Sequence, residues 1–89
     1  MGFEWDEEKR RETLAEREID FSGMTALFDG RPVLTYPSPR GGEERWVTVG
    51  VIERKVFAAV WTVRGENIRI IAVRRARDGE KRAYRELHG

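Results

Sequence analysis

At 89 residues the chain has room for one small core, about 60% of its unfolded surface being buried on folding, and residues 1–89 read as a single domain. With 39% hydrophobic and 37% charged residues, aromatics spread along its length and no cysteine, the composition excludes disorder, a disulfide framework, a thiolate zinc site and a cysteine nucleophile, and the cytoplasm is the default compartment. The net charge of +1 hides an uneven distribution: residues 1–30 carry nine acids against four bases, residues 31–89 thirteen bases against seven acids, so the second part offers a basic surface to a polyanion.

The opening Met1-Gly2-Phe3-Glu4-Trp5-Asp6 lacks the basic and apolar regions of a signal peptide, and no apolar run approaches the roughly 20 residues that span a bilayer, so no membrane association is expected. Alternation in Phe3-Glu4-Trp5-Asp6 suits a short edge strand, and Asp6 can cap a helix from Glu7 to about Glu18. That helix is polar apart from Leu14 and Ala15. It is expected on the surface, supported by Glu7 and Glu8 pairing with Arg11 and held down through Trp5 and Leu14. Asp20 can cap a second short helix whose Phe21, Met24, Leu27 and Phe28 form a core-facing stripe, ended by Asp29-Gly30-Arg31-Pro32.

Pro32 to Thr35 reads as a strand, and Tyr36 to Glu44 as a mobile loop too rich in Pro and Gly for regular structure. Three strands follow, Arg45 to Ile52, Lys55 to Val63 and Asn67 to Arg75, joined by Glu53-Arg54 and Arg64-Gly65-Glu66 as an antiparallel meander. Strict alternation assigns Val47, Val49 and Val51, then Phe57, Ala59, Trp61 and Val63, then Ile68, Ile70 and Ala72, to the core face. Arg69 and Arg75 would share the opposite face, about 20 Å apart. Asp78 can cap a closing helix over Gly79 to Leu87, with Ala83, Tyr84 and Leu87 on one side. The expected fold class is α+β, with N-terminal helices and a C-terminal helix packed on a four-stranded antiparallel sheet.

Few chemistries are open to these residues. The one histidine, His88, is penultimate and unsuited to a triad; no metal-ligand spacing and no phosphate-binding glycine loop is present, so neither metal nor cofactor is expected. Arginine remains, and its fork binds phosphate through paired hydrogen bonds while staying charged at any working pH. A ribonuclease that uses the RNA 2′-hydroxyl as nucleophile needs cations for the developing phosphoryl charge and a group to move protons. Arg64, Arg69, Arg74 and Arg75, with Tyr84 on the next helix, can supply those parts. The competing reading is a module that binds RNA or DNA without cutting it, stacking bases on Trp46, Trp61 or Tyr36.

The series Phe3-Glu4-Trp5-Asp6 with Lys9, Phe21, Phe28-Asp29, Glu44-Arg45, Arg64-Gly65, Ile68-Arg69-Ile70-Ile71, Arg74-Arg75-Ala76, Glu80 and Tyr84 resembles the BrnT toxins of bacterial type II toxin-antitoxin systems, in order over nearly the whole chain. The resemblance implies a RelE-like ribonuclease that cleaves RNA, slows translation and growth, and is neutralised by a BrnA-type antitoxin, through which alone it reaches operator DNA. It also implies Arg64, Arg69, Arg74, Arg75 and Tyr84 as catalytic positions, with Lys9 and Arg45 as RNA-binding ones. Members commonly carry Asn where this chain has Thr13, Lys-His-Gly where it has Glu16-Arg17-Glu18, and Ser where it has Ala72. A third reading follows from the same arginines: a structural partner that docks an acidic antitoxin segment.

Overall fold

The computed structural model describes residues 2–39 and 43–89. In chain order they form β1 (Phe3–Glu4), α1 (Glu7–Arg17), a 3-10 helix (Phe21–Phe28), β2 (Val33–Ser38), β3 (Arg45–Ile52), β4 (Lys55–Arg64), β5 (Asn67–Arg75) and α2 (Asp78–His88). The α+β class is as expected, but the sheet has five strands and is mixed, in the order β1-β5-β4-β3-β2 with β1 parallel to β5 and the rest antiparallel. The Phe3 segment is therefore a fifth strand of the sheet. It is held by Ile68 N donating to Gly2 O (2.9 Å), Asn67 Oδ1 accepting from Gly2 N (3.1 Å) and Arg69 pairing with Glu4 (2.8 Å).

Asp6 caps α1 by accepting from Glu8 N and Lys9 N, as its spacing predicts. Glu7 pairs with Arg10 (2.5 Å) as well as with Arg11 (3.7 Å). No α1 residue is buried and Leu14 is exposed, so Leu14 is not the expected anchor. Polar ties fasten the helix instead: Arg10 to Asp20 (3.2 Å) and Arg17 Nη1 to the Val73 carbonyl (3.0 Å). The next helix starts where predicted, at its Asp20 cap, but winds as a 3-10 helix. Its buried residues, Phe21, Met24 and Leu27, recur every third position, and only a three-residue turn stacks them in one row. Leu27 comes so close to β3 that a Cβ at Gly50 would lie 2.7 Å from Leu27 Cδ2.

Both sheet faces are covered, so the single core face expected from strict alternation becomes two. Trp61, Ala59 and Phe57 pack with Ile68, Ile70 and Val73 beneath the 3-10 helix, whereas Val47 and Val49 pack with Ala58 and Ala76 on the α2 side. In register terms Val47 lies opposite Val60 and Val49 opposite Ala58, so the β3 valines belong to the other face from Ala59. A bulge completes the correction: Val60 pairs with Ala72 but Trp61 with Ile70, leaving Ile71 as the extra residue. Beyond it Val73, rather than Ala72, continues the face of Ile68 and Ile70. Arg75 accordingly sits over the Phe57 ring (5.4 Å) on the 3-10 side, and does not share a face with Arg69.

β2 runs through Tyr36, Pro37 and Ser38, which composition alone places in a loop. A sheet-edge strand tolerates Pro because the missing N–H need not serve the ladder. Residues 40–42 of the expected loop lie outside the described residues.

Candidate active site

Pairing of Tyr36 with Val47, of Val47 with Val60 and of Val60 with Ala72 lays one row of side chains across the sheet on the α2 side, and Arg74, opposite Ala58, stands in the next row of the same face. β5 ends at Arg75, and the chain turns directly into α2, with Arg77 at the N-cap. The result is a cavity of about 360 Å³ lined by Tyr36, Ser38, Pro39, Arg45, Val47, Val60, Arg74 and Arg77. Its floor is apolar valine and its walls carry three guanidinium groups.

Glu80, in the first turn of α2 and only 9% exposed, organises one wall. Its Oε1 accepts from Arg74 Nη1 (2.7 Å) and from the Arg77 backbone N–H (2.8 Å); its Oε2 accepts from Arg74 Nη2 (3.0 Å) and from the Tyr36 hydroxyl. Burial by itself pushes the Glu80 carboxyl up, but the Arg74 fork, the Arg77 amide and Tyr36 together outweigh it and hold the group at about 2. Burial, and next the hydrogen bond to Glu80, push the Tyr36 phenol up, so it stays protonated. The hydrogen bonds to Glu80 raise Arg74 above its ordinary value despite partial burial.

Arg45 differs from Arg74 in having no strong partner among the described residues. Its Nη2 lies 3.5 Å from Glu43, and its Nε is buried without any hydrogen-bond partner among the described residues. A buried N–H left unpaired costs roughly 1–3 kcal/mol.

Of the catalytic and RNA-binding candidates that the sequence singles out, Arg45 and Arg74 meet at this cavity. The others do not line it. Arg64 is exposed at the end of β4, Lys9 is exposed on α1, Arg69 is paired with Glu4 and Arg75 stacks on Phe57. Tyr84 packs against the core on the α2 side and its hydroxyl donates to Pro32 O (3.3 Å). His88 ends α2, with its Nε2 2.7 Å from Val33 O. Trp46 and Trp61 face away from the cavity, Trp61 donating to Thr48 Oγ1 (2.8 Å) and packing on Phe28. Arg77 was not singled out from the sequence, Glu80 only within the family pattern, and Tyr36 only as a stacking surface. Their contacts span up to 44 residues along the chain, and only the Arg74–Glu80 spacing across a predicted strand–helix junction hints at them.

Fold and site together describe a small α+β protein with an arginine-lined cleft on one face of its sheet. The family described as "Ribonuclease toxin, BrnT, of type II toxin-antitoxin system" matches residues 5–80, and the chain belongs to it. All eight cavity residues lie inside that span. No curated protein matches the chain. Membership makes the chain a ribonuclease toxin by family and implies an antitoxin partner. No helix among the described residues is long and apolar enough to cross a membrane.

Proposed function

We propose that this protein cleaves RNA without a metal ion, at the cavity between β2 and the start of α2, and that a BrnA-type antitoxin neutralises it. The single observation that carries the site is a cavity whose walls hold the guanidinium groups of Arg45, Arg74 and Arg77. A phosphodiester seated there is met by these guanidinium groups, which offset the charge that grows on the non-bridging oxygens. Attack of the 2′-oxygen on phosphorus breaks the bond to the 5′-oxygen, leaving a 2′,3′-cyclic phosphate and a 5′-hydroxyl; the 2′-proton departs and the 5′-oxygen gains one. Cleavage of cellular RNA would slow translation and growth in the cytoplasm. The fold is read as RelE-like, with contact to operator DNA made only through the antitoxin.

Within this reading Arg74 and Arg45 act at the phosphate, joined by Arg77. Arg64, exposed outside the cavity, is left for contacts to flanking phosphates, while Arg69 and Arg75 serve the sheet through Glu4 and Phe57. The binding-only reading loses Trp61 as a stacking surface, because that ring is packed and hydrogen-bonded on the opposite face. Incubation of the purified chain with a defined single-stranded RNA in excess chelator tests the proposal. Cleavage with cyclic-phosphate ends is expected; intact RNA in chelator, cut on adding a divalent ion, contradicts it.

A further inference from the structure

The Glu80 carboxylate offers about four acceptor positions, and all four are taken: two by the Arg74 fork, one by the Arg77 amide and one by the Tyr36 hydroxyl. A carboxylate in that state has no lone pair free for a 2′-hydroxyl proton. It therefore cannot be the general base, although it is the acidic side chain nearest the cavity's arginines. What it does is geometric. Arg74 comes from β5, Tyr36 from the edge strand β2 and Arg77 from the head of α2, and one side chain ties the three together.

We propose that Glu80 is the positioning residue of this cavity: it fixes the plane of the Arg74 guanidinium, the direction of the Tyr36 hydroxyl and the start of α2 that carries Arg77, and takes no proton in the reaction. The proposal deepens the ribonuclease reading and rests on it for its kinetic half. Binding a fork through both nitrogens sets its plane, whereas one contact leaves it free to turn. A misaligned donor loses most of its value to a transition state while still attracting the substrate by charge, so the loss falls on kcat more than on KM.

Glu80→Gln is the informative variant, because Gln keeps the shape but offers one acceptor oxygen and an NH2 that faces Arg74 Nη2 and Tyr36. The expected result is a fall in kcat of about ten-fold or more with KM within about three-fold. A second readout is independent of RNA. The chain has two tyrosines, so in a Tyr84→Phe background the ultraviolet titration of phenolate reports Tyr36 alone. Glu80→Gln should move that titration to lower pH by removing the charged acceptor, which a carboxylate that merely caps α2 would not do. An unmoved Tyr36 titration overturns the proposal, as does a raised KM with kcat retained. A chain that cuts no RNA yet shows the Tyr36 shift refutes the ribonuclease reading and leaves Glu80 as the organiser of the cavity. Should Glu80→Gln fail to fold, Arg74→Lys and Tyr36→Phe decide the matter. Acting through one carboxylate, their effects on kcat should combine to less than their product, and independent effects overturn the proposal.

Discussion

Arg74 and Glu80 face each other across the β5–α2 junction in a two-bond pair, Nη1 to Oε1 at 2.7 Å and Nη2 to Oε2 at 3.0 Å, both side chains largely withdrawn from solvent. The pair both closes the core under the head of α2 and shapes one wall of the cavity. Substitutions here therefore act on stability and on activity together.

Arg74→Ala illustrates the difficulty. The sequence invites it as a clean catalytic knockout, yet it strands the buried Glu80 carboxylate, and breaking a buried pair from one side costs about 3–5 kcal/mol. Denaturant unfolding should show a loss of that order. A drop below about 1 kcal/mol would mean that the pair is hydrated and loosely held.

The same carboxylate makes stability depend on acid. A folded-state value of about 2 lies below the ordinary 4.5, so the stabilisation is fully present above about pH 4.5 and is lost as pH falls toward 2. The gap corresponds to at most about 3 kcal/mol. Unfolding free energies measured at neutral pH and near pH 3 should fall in that sense for the wild type, and Glu80→Gln should flatten the acid limb.

Much of the fold was legible because it depends on neighbours in sequence. Asp6 and Asp20 cap helices at the expected positions, and the meander of β3, β4 and β5 falls where turn residues and apolar runs place it. What could not be read is what depends on register. One extra residue at Ile71 moves Val73 and Arg75 to the opposite face, and no composition rule marks that position. Arg74 and Arg45, both at the cavity, were legible as candidate phosphate ligands from charge and the family pattern. The roles of Tyr36 and Glu80 were not, since they arise from packing α2 against the edge strand, a contact between residues 44 apart.

Glu18 closes α1 in the left-handed conformation, φ 58° and ψ 32°, with its N–H donating to Leu14 O. A glycine usual in the family at this position takes that conformation without steric cost. Glu18→Gly is expected to stabilise the protein by up to about 1 kcal/mol, read as a higher melting temperature. A lower one would show that the Glu18 side chain makes a compensating contact.

Gly50→Ala probes the opposite constraint, since its Cβ would press on Leu27, which is buried, and come within 3.1 Å of Val33 Cγ1. Overpacking of this kind costs about 1–3 kcal/mol. Calorimetry should register the loss, and an unchanged melting temperature would show that the 3-10 helix shifts freely on the sheet.

Comparing Arg45→Gln with Arg64→Gln in RNA cleavage by purified protein tests the central claim most directly, because one arginine lines the cavity and the other is exposed outside it. Arg45→Gln should lose about a hundred-fold or more in cleavage rate with its melting temperature nearly unchanged, and Arg64→Gln no more than about a few-fold. Wild-type cleavage by Arg45→Gln, or abolition by Arg64→Gln, would contradict the placement of the active site at this cavity.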